Sequence, residues 1–399
     1  MKPAQRIANL PPYPFAVLLR RLRELQAQGR DVIRMDMGSP DLPPADFILE
    51  ALEKSARDPA HHGYASFIGI PAFRRAVAAY YQHRFGVELD PEGEVLSLIG
   101  SKEGIANAHF AFVDPGDVVL VSDPGYPTYS LGAQLAGGVP YPVPLRRELD
   151  WLPDLSAIPT EVAKRAKLMW LNYPNNPTGA GASLEFFAEA VAFARQHDLL
   201  LCHDAPYCDL TFDSYVAPSI LQVPGAKEVA LEFNSLSKTY NMAGWRIGMA
   251  VGHAAAVKAL ALVKSNVDSG VFRPIQDAGV AALTGDQSWL AERNQIYQAR
   301  RDLVWETLQE VGMEAEKPVG GLYLWARTPG GMGSAEFCTR LLEETGISWA
   351  PGAFYGAQGE GYVRISLVQP LERSQEAMSR LREFVSRLAG SPLEGCQRR

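Results

Sequence analysis

The feature that most constrains the fold is a series of short apolar runs, each too short for a helix, with amphipathic stretches between them. The runs are Val95–Ile99, Val118–Val121, Leu168–Leu171, Leu199–Cys202, Val229–Phe233 and Ile247–Val251. Runs of this length read as strands of a mostly parallel sheet, and the stretches between them as the helices that return the chain. Leu184–His197 is one such stretch, because Leu184, Phe187, Val191 and Ala194 recur at helical spacing and can cover one face of a sheet. An α/β unit is therefore expected over 45–275.

Beyond it the rhythm changes. Ala291–Val311 reads as a long charged helix, Gly320–Ala326 and Tyr362–Leu367 as short strands, and Glu372–Leu388 as an amphipathic helix. These predict a smaller α+β unit over 276–399, joined by an N-terminal arm, 1–44, with a frayed tail from about Gly390 to Arg399.

With 399 residues, 47% of them hydrophobic, the chain can bury a large core. A net charge of −7 with scattered Lys and Arg leaves no basic surface for a nucleic-acid backbone. Met1–Leu10 lacks the apolar core of a signal peptide, and no stretch approaches the roughly 20 apolar residues that span a bilayer, so the cytoplasm is expected and a membrane is not. Cys202, Cys208, Cys338 and Cys396 are too few and too irregularly spaced for a disulfide framework, which fits a reducing compartment.

The sequence at the ends of the apolar runs carries the functional signal. In open α/β sheets ligands bind beyond the carboxyl ends of the strands. Five runs are followed at once by polar or Gly/Pro-rich segments: Gly100–Gly104, Asp123–Tyr126, Asn172–Gly179, Asp204–Tyr207 and Ser235–Lys238. These should converge on one rim.

Gly100-Ser101-Lys102 follows a strand and opens a helix, so its backbone N–H groups and the Ser101 hydroxyl can cradle a phosphate. Neither the dinucleotide nor the P-loop glycine pattern occurs, which leaves a cofactor with a single phosphate. Arg246, eight residues after Lys238, offers a planar fork for it. Lys238 is either an exposed solubilising lysine or, at the mouth of a buried strand, an amine whose pKa falls by desolvation so that it attacks an aldehyde. Asp204 is either a turn cap or a carboxylate that keeps a pyridine nitrogen protonated, and Tyr207 either a half-buried tyrosine or a donor to a phenolate oxygen on that ring. Cys202, His203 and Asp204 cannot converge on a metal, because His203 on a strand points away from both neighbours.

At this point the residues resemble a known family. Ser235–Gly248 looks like the cofactor-attachment motif of the class I/II pyridoxal-phosphate aminotransferases, with Asn176-Pro177-Thr178-Gly179, Asp204-x-x-Tyr207 and Tyr362–Ser366 as its companions in the expected order. The resemblance covers nearly the whole chain. It implies a fold type I architecture, with a seven-stranded, mostly parallel sheet in the large domain.

It also implies that Lys238 holds pyridoxal 5'-phosphate as a Schiff base and, once released by substrate, moves a proton between the substrate α-carbon and the cofactor. Asp204 would pair with the pyridine nitrogen, Tyr207 and Asn176 would bond the ring oxygen, and Tyr126 would stack on the ring. Ser101, Lys102, Ser235, Ser237 and Arg246 would surround the phosphate. Tyr64 resembles the tyrosine that reaches the phosphate of a neighbouring subunit, which implies a homodimer with shared sites. Arg364 would clamp the substrate α-carboxylate, the alternative being a charge on an edge strand.

Leu10–Phe15, Ile99–Ile105 and Lys264–Gly270 resemble the bacterial LL-diaminopimelate aminotransferases more than the aspartate or aromatic enzymes. By that resemblance Tyr13, Gly38, Lys102 and Asn176 would line the substrate pocket, and Asn266 would approach from the partner subunit. Arg273-Pro274 departs from the pattern, and an arginine there can meet a distal carboxylate, so a dicarboxylic amino acid with 2-oxoglutarate is expected, a broad alanine/aspartate-type donor range staying open. A lyase or decarboxylase on the same scaffold is the competing chemistry, and a ligand-sensing regulator the competing class. Arg364 favours transamination, since it retains the carboxylate.

Overall fold

The computed structural model describes residues 1–8, 10 and 15–390. Seven strands form one sheet: β1 (Val95–Leu98), β2 (Val118–Asp123), β3 (Val139–Pro144), β4 (Ala166–Asn172), β5 (Leu200–Asp204), β6 (Ala230–Ser235) and β7 (Gly248–Gly252). Their order is β1-β7-β6-β5-β4-β2-β3, and only β7 runs antiparallel to its neighbours. The carboxyl ends of the other six strands thus share one edge.

Successive residues of the inner strands enter different cores, as the two-residue period of a sheet buried on both faces requires. Leu120, Met169, Leu171 and Leu201 pack with Phe73 and Phe187 on one face, whereas Val119, Val121, Leu168, Trp170 and Cys202 pack with Ile105 and Tyr129 on the other. The expected helix forms over Leu184–His197, capped by Ser183 at its start and closed by Asp198 in the left-handed region (φ 53). Its buried stripe is Phe186, Phe187, Ala190, Val191 and Ala194; Leu184, the first residue of the helix and expected on that stripe, is exposed.

A three-stranded antiparallel sheet lies outside the large one, with β8 (Tyr323–Arg327), β9 (Ala350–Pro351) and β10 (Tyr362–Ser366) in the order β9-β10-β8. Its own core gathers Leu322, Leu324, Val363 and Ile365 with Tyr297, Val304 and Leu308 of the helix Trp289–Glu310 and Met378 and Phe384 of the helix Leu371–Gly390. Ile33 and Met35 from the N-terminal arm join it. The helix Arg273–Thr284 straddles the boundary expected at 275 and buries Ala278, Ala282 and Leu283 in the large-sheet core. No described helix is long and apolar enough to cross a membrane. Of the sequence expectations, the frayed tail beyond Gly390 and the role of Tyr13 lie outside the described residues.

Candidate active site

The rim expected from the strand ends exists. A cavity of about 370 Å³ is bounded by residues that follow β1, β2, β4, β5 and β6, and it is closed from the other side by β8, β10 and the N-terminal arm.

At the end of β1, Gly100 has φ 74 and is followed by the helix Ser101–Phe112. A Cβ on Gly100 would lie 2.3 Å from Arg246 Nη2, so only glycine lets the backbone and that guanidinium approach each other. Arg246 is itself left-handed (φ 58) and donates to the Ala243 carbonyl at 2.8 Å. Backbone strain at a non-glycine residue persists only where its surroundings impose it. Ser101, Lys102 and Arg246 line this end of the cavity together with Ser235 and Ser237, whose hydroxyls are 2.9 Å apart at the start of the helix Leu236–Thr239. N–H groups of a helix start, hydroxyls and a guanidinium together make an anion cradle.

Tyr126 follows β2 and is half-buried against the cavity, with Lys102 Nζ 6.0 Å from its ring centroid. At the end of β4, Asn172 donates to the Asp204 carbonyl at 2.7 Å and accepts from the Asn176 backbone N–H at 2.7 Å, which turns Asn176 into the cavity.

Asp204 ends β5. Its Oδ2 accepts from the Tyr129 hydroxyl at 2.8 Å, while Oδ1 is buried with no partner among the described residues. Burial pushes this carboxyl up to about 6, against Tyr129, His203 and Lys238, which favour its charged form. Tyr129 is fixed from behind. Its ring stacks on Trp170 (centroids 5.1 Å apart, planes at 7°), whose indole N–H donates to His109 Nε2 at 3.1 Å. His109 Nδ1 lies 2.8 Å from the Ile105 carbonyl and therefore donates to it. Burial lowers His109 to about 4, so the ring stays neutral and accepts the indole proton. His203 faces the opposite side of the strand, as expected, and pairs with buried Glu232 at 2.9 Å.

Lys238 lines the cavity and donates from Nζ to the Gly38 carbonyl. Burial pushes its amine below the ordinary lysine range; Arg364 and Arg246 push the same way, and Tyr323 and Asp204 oppose them. Its backbone is held by buried Arg293 of the long helix Trp289–Glu310, which donates to the carbonyls of Lys238 (2.9 Å), Thr239 and Asp209 (2.9 Å). One side chain thus ties the segments carrying Lys238 and Tyr207 to a helix of the smaller core.

Arg364, on β10, is 4% exposed and reaches across the cavity to donate to Asn176 Oδ1 (2.9 Å) and the Asp36 carbonyl (2.7 Å); its Nε has no partner among the described residues. The structure therefore brings Gly38, Ser101, Lys102, Tyr126, Asn176 and Asp204 to one cavity with Tyr207, Ser235, Ser237, Lys238, Arg246 and Arg364.

Tyr64 and Asn266 stand away from it. Tyr64 is 95% exposed, and Asn266 is exposed and donates to the Leu262 carbonyl. Arg273 lies outside the lining as well, 3.5 Å from Asp277. Sequence reasoning did not single out Tyr129, Asp36 or Tyr323. Tyr323 had a signal, being the central residue of an expected strand, whereas nothing distinguished Tyr129 from a helix residue in the core.

An amine and a carboxylate kept apart in a small cavity, with an anion cradle at one end and a buried arginine at the other, define a site for transfer chemistry on a small anionic amino acid. The chain matches the family model of aminotransferases of class I and II over residues 30–381 and belongs to that family; it is an aminotransferase. It is 54% identical over 385 residues to the LL-diaminopimelate aminotransferase of Desulforudis audaxviator, covering 96% of this chain and 98% of that protein. Among solved structures, apo BacF from Bacillus subtilis superposes with a TM-score of 0.93 at 37% identity, over 96% of this chain and 98% of that one. A probable N-succinyldiaminopimelate aminotransferase from Thermus thermophilus gives 0.88 at 40% identity, over 92% and 99%.

Proposed function

We propose that this aminotransferase uses pyridoxal 5'-phosphate, takes its amino group from LL-diaminopimelate and passes it to a 2-oxo acid such as 2-oxoglutarate. One observation carries the cofactor reading: Asp204 Oδ1, buried and without a partner among the described residues, stands in the same cavity as the Lys238 amine and the Gly100–Arg246 cradle. That set fits the cofactor's ring nitrogen, aldehyde and phosphate respectively. When bound, the cofactor supplies a ring that accepts electron density from the substrate α-carbon.

The chain's own groups do the rest. Asp204 Oδ1 would hold the ring nitrogen's proton, and Asn176 and Tyr207 would bond the ring oxygen. Ser101, Lys102, Ser235, Ser237 and Arg246 would hold the phosphate, and Tyr126 would cover the ring face. Lys238 Nζ, whose burial favours the uncharged amine, would take the proton from the substrate α-carbon and return it. Arg364 orients the α-carboxylate, and its partnerless Nε leaves donor capacity for it. Gly38, Lys102 and Asn176 border the cavity and would line the substrate pocket; the family resemblance implies the same of Tyr13, which lies outside the described residues.

The exposure of Tyr64 and Asn266 supports a homodimer in which both act in the partner's site. The same reading takes 45–275 as the cofactor-binding unit, and 1–44 with 276–399 as the unit that brings Arg364 to it, in an enzyme of the cytoplasm. LL-diaminopimelate is preferred because relatives at about half identity across the chain carry that name. Its test is a donor panel of LL-diaminopimelate, N-succinyl-diaminopimelate, aspartate, glutamate and alanine against 2-oxoglutarate and pyruvate. LL-diaminopimelate should give the highest kcat/KM with 2-oxoglutarate, and turnover of alanine or aspartate without it would refute the substrate.

A further inference from the structure

Tyr323, on β8, touches several parts of this site at once. Its hydroxyl is 3.0 Å from the hydroxyl of Tyr207, and its ring lies under the Arg364 guanidinium, with Cζ 4.0 Å from the centroid. It also presses on Gly38, where a Cβ would fall 1.8 Å from the Tyr323 oxygen. Gly38 in turn accepts from Lys238 through its carbonyl. Tyr323 and Tyr207 are 3% and 4% exposed, so the bond between their hydroxyls is largely shielded from bulk water.

We propose that Tyr323 is a positioning residue that relays to Tyr207 whether Arg364 is paired with a carboxylate, by reversing the hydrogen bond between the two hydroxyls. The inference rests on the cofactor reading above.

A hydroxyl both donates and accepts, so the bond can run either way, and the oxygen whose surroundings favour negative charge is the better acceptor. That oxygen belongs to Tyr323. Burial raises its phenol, yet Arg364, Lys238 and the bond from Tyr207 outweigh burial and hold it below its ordinary value. Tyr207 is pushed well above its ordinary value by burial and by Tyr323. Asp204, Tyr126 and Tyr129 also face the pair among the described titratable groups.

With Arg364 unneutralised, negative polarisation gathers on the Tyr323 oxygen and Tyr207 donates to it. Once a substrate carboxylate pairs with Arg364, the cationic pull on the Tyr323 ring is offset. Tyr323 then donates to the Tyr207 oxygen, and Tyr207 turns its own proton to the cofactor ring oxygen. No proton leaves the pair; both hydroxyls rotate. The site thereby tightens its hold on the ring oxygen only when a carboxylate is in place.

The test is the absorbance of the pyridoxal-phosphate holoenzyme against pH, for wild type, Tyr323→Phe, Tyr207→Phe and the double variant. Each is measured alone and with saturating glutarate, which carries carboxylates and no amine. Without glutarate, Tyr323→Phe leaves Tyr207 aimed at the ring oxygen, and the midpoint should fall roughly half to one pH unit below wild type, the size of one neutral hydrogen bond. With glutarate the two midpoints should coincide, and in the Tyr207→Phe background Tyr323→Phe should move nothing. A displacement equal with and without glutarate, no displacement, or one that survives in the Tyr207→Phe background overturns the relay alone. A wild-type chain that gains no absorbance with pyridoxal phosphate overturns the cofactor reading, and the relay with it.

Discussion

Tyr129 donates its hydroxyl to Asp204 Oδ2 at 2.8 Å and leaves Oδ1 of the same carboxylate buried and alone among the described residues. A half-satisfied carboxylate costs stability in the cofactor-free chain, and on the proposed reading it would be matched by the cation that arrives with the cofactor.

The pH dependence of the cofactor-free chain follows. Burial holds Asp204 at about 6, above the ordinary 3.8, so between those values the folded chain binds more protons than the unfolded one. Stability therefore falls as pH rises through that window, and the full cost is present above it. Asp204→Asn should make the cofactor-free protein more stable than wild type at about pH 8, by about 1–3 kcal/mol, and little different at about pH 4. The same change should weaken pyridoxal-phosphate binding. Thermal unfolding at the two pH values checks it; a variant less stable than wild type at the higher pH would show that Asp204 is satisfied by the protein itself.

Gly100→Ala tests the cradle. The new methyl would meet Arg246 Nη2 at 2.3 Å, on a backbone at φ 74 that L-residues disfavour. Affinity for pyridoxal phosphate should drop about tenfold or more, the equivalent of one lost charge-assisted hydrogen bond, as read by equilibrium dialysis. Unchanged affinity would place the phosphate elsewhere.

Arg364→Lys should not rescue Arg364→Gln. The guanidinium serves Asn176 Oδ1 and the Asp36 carbonyl at once and keeps Nε for a ligand, a fork that an ammonium cannot reproduce. Both variants should lose on the order of 100-fold in kcat/KM for amino and 2-oxo acid alike, consistent with a truncated buried charge contact. Near-wild-type steady-state kinetics in the lysine variant would make Arg364 a general cation and no clamp.

The strand ends were legible because the chemistry of a parallel sheet concentrates there. Ser101, Asn176, Asp204, Tyr207 and Lys238 each follow an apolar run and line one cavity. The strand β3 was not legible. It reads Val139-Pro140-Tyr141-Pro142-Val143-Pro144, and proline is confined to sheet edges, which is where β3 lies. Tyr323 escaped because a short strand pattern does not say which face will meet a second sheet. Tyr129 escaped because its value depends on Trp170 and His109, which lie far from it along the chain in opposite directions, and such convergence leaves no local trace.

The proposed shared sites make a prediction of their own. With Tyr64 at 95% exposure, any part it took in catalysis would need a second subunit. Tyr64→Ala and Lys238→Ala chains, unfolded together and refolded, should regain activity above either parent, since each mixed dimer carries one intact site. No gain on mixing would confine each site to a single chain.

Everything assigned to the cavity turns on Lys238 being the residue that takes the cofactor. Purified protein incubated with pyridoxal phosphate, reduced with borohydride and digested should yield one pyridoxyl-labelled peptide, carrying its label on Lys238, and Lys238→Ala should yield none. A label on another lysine, or no label at all, would contradict the account.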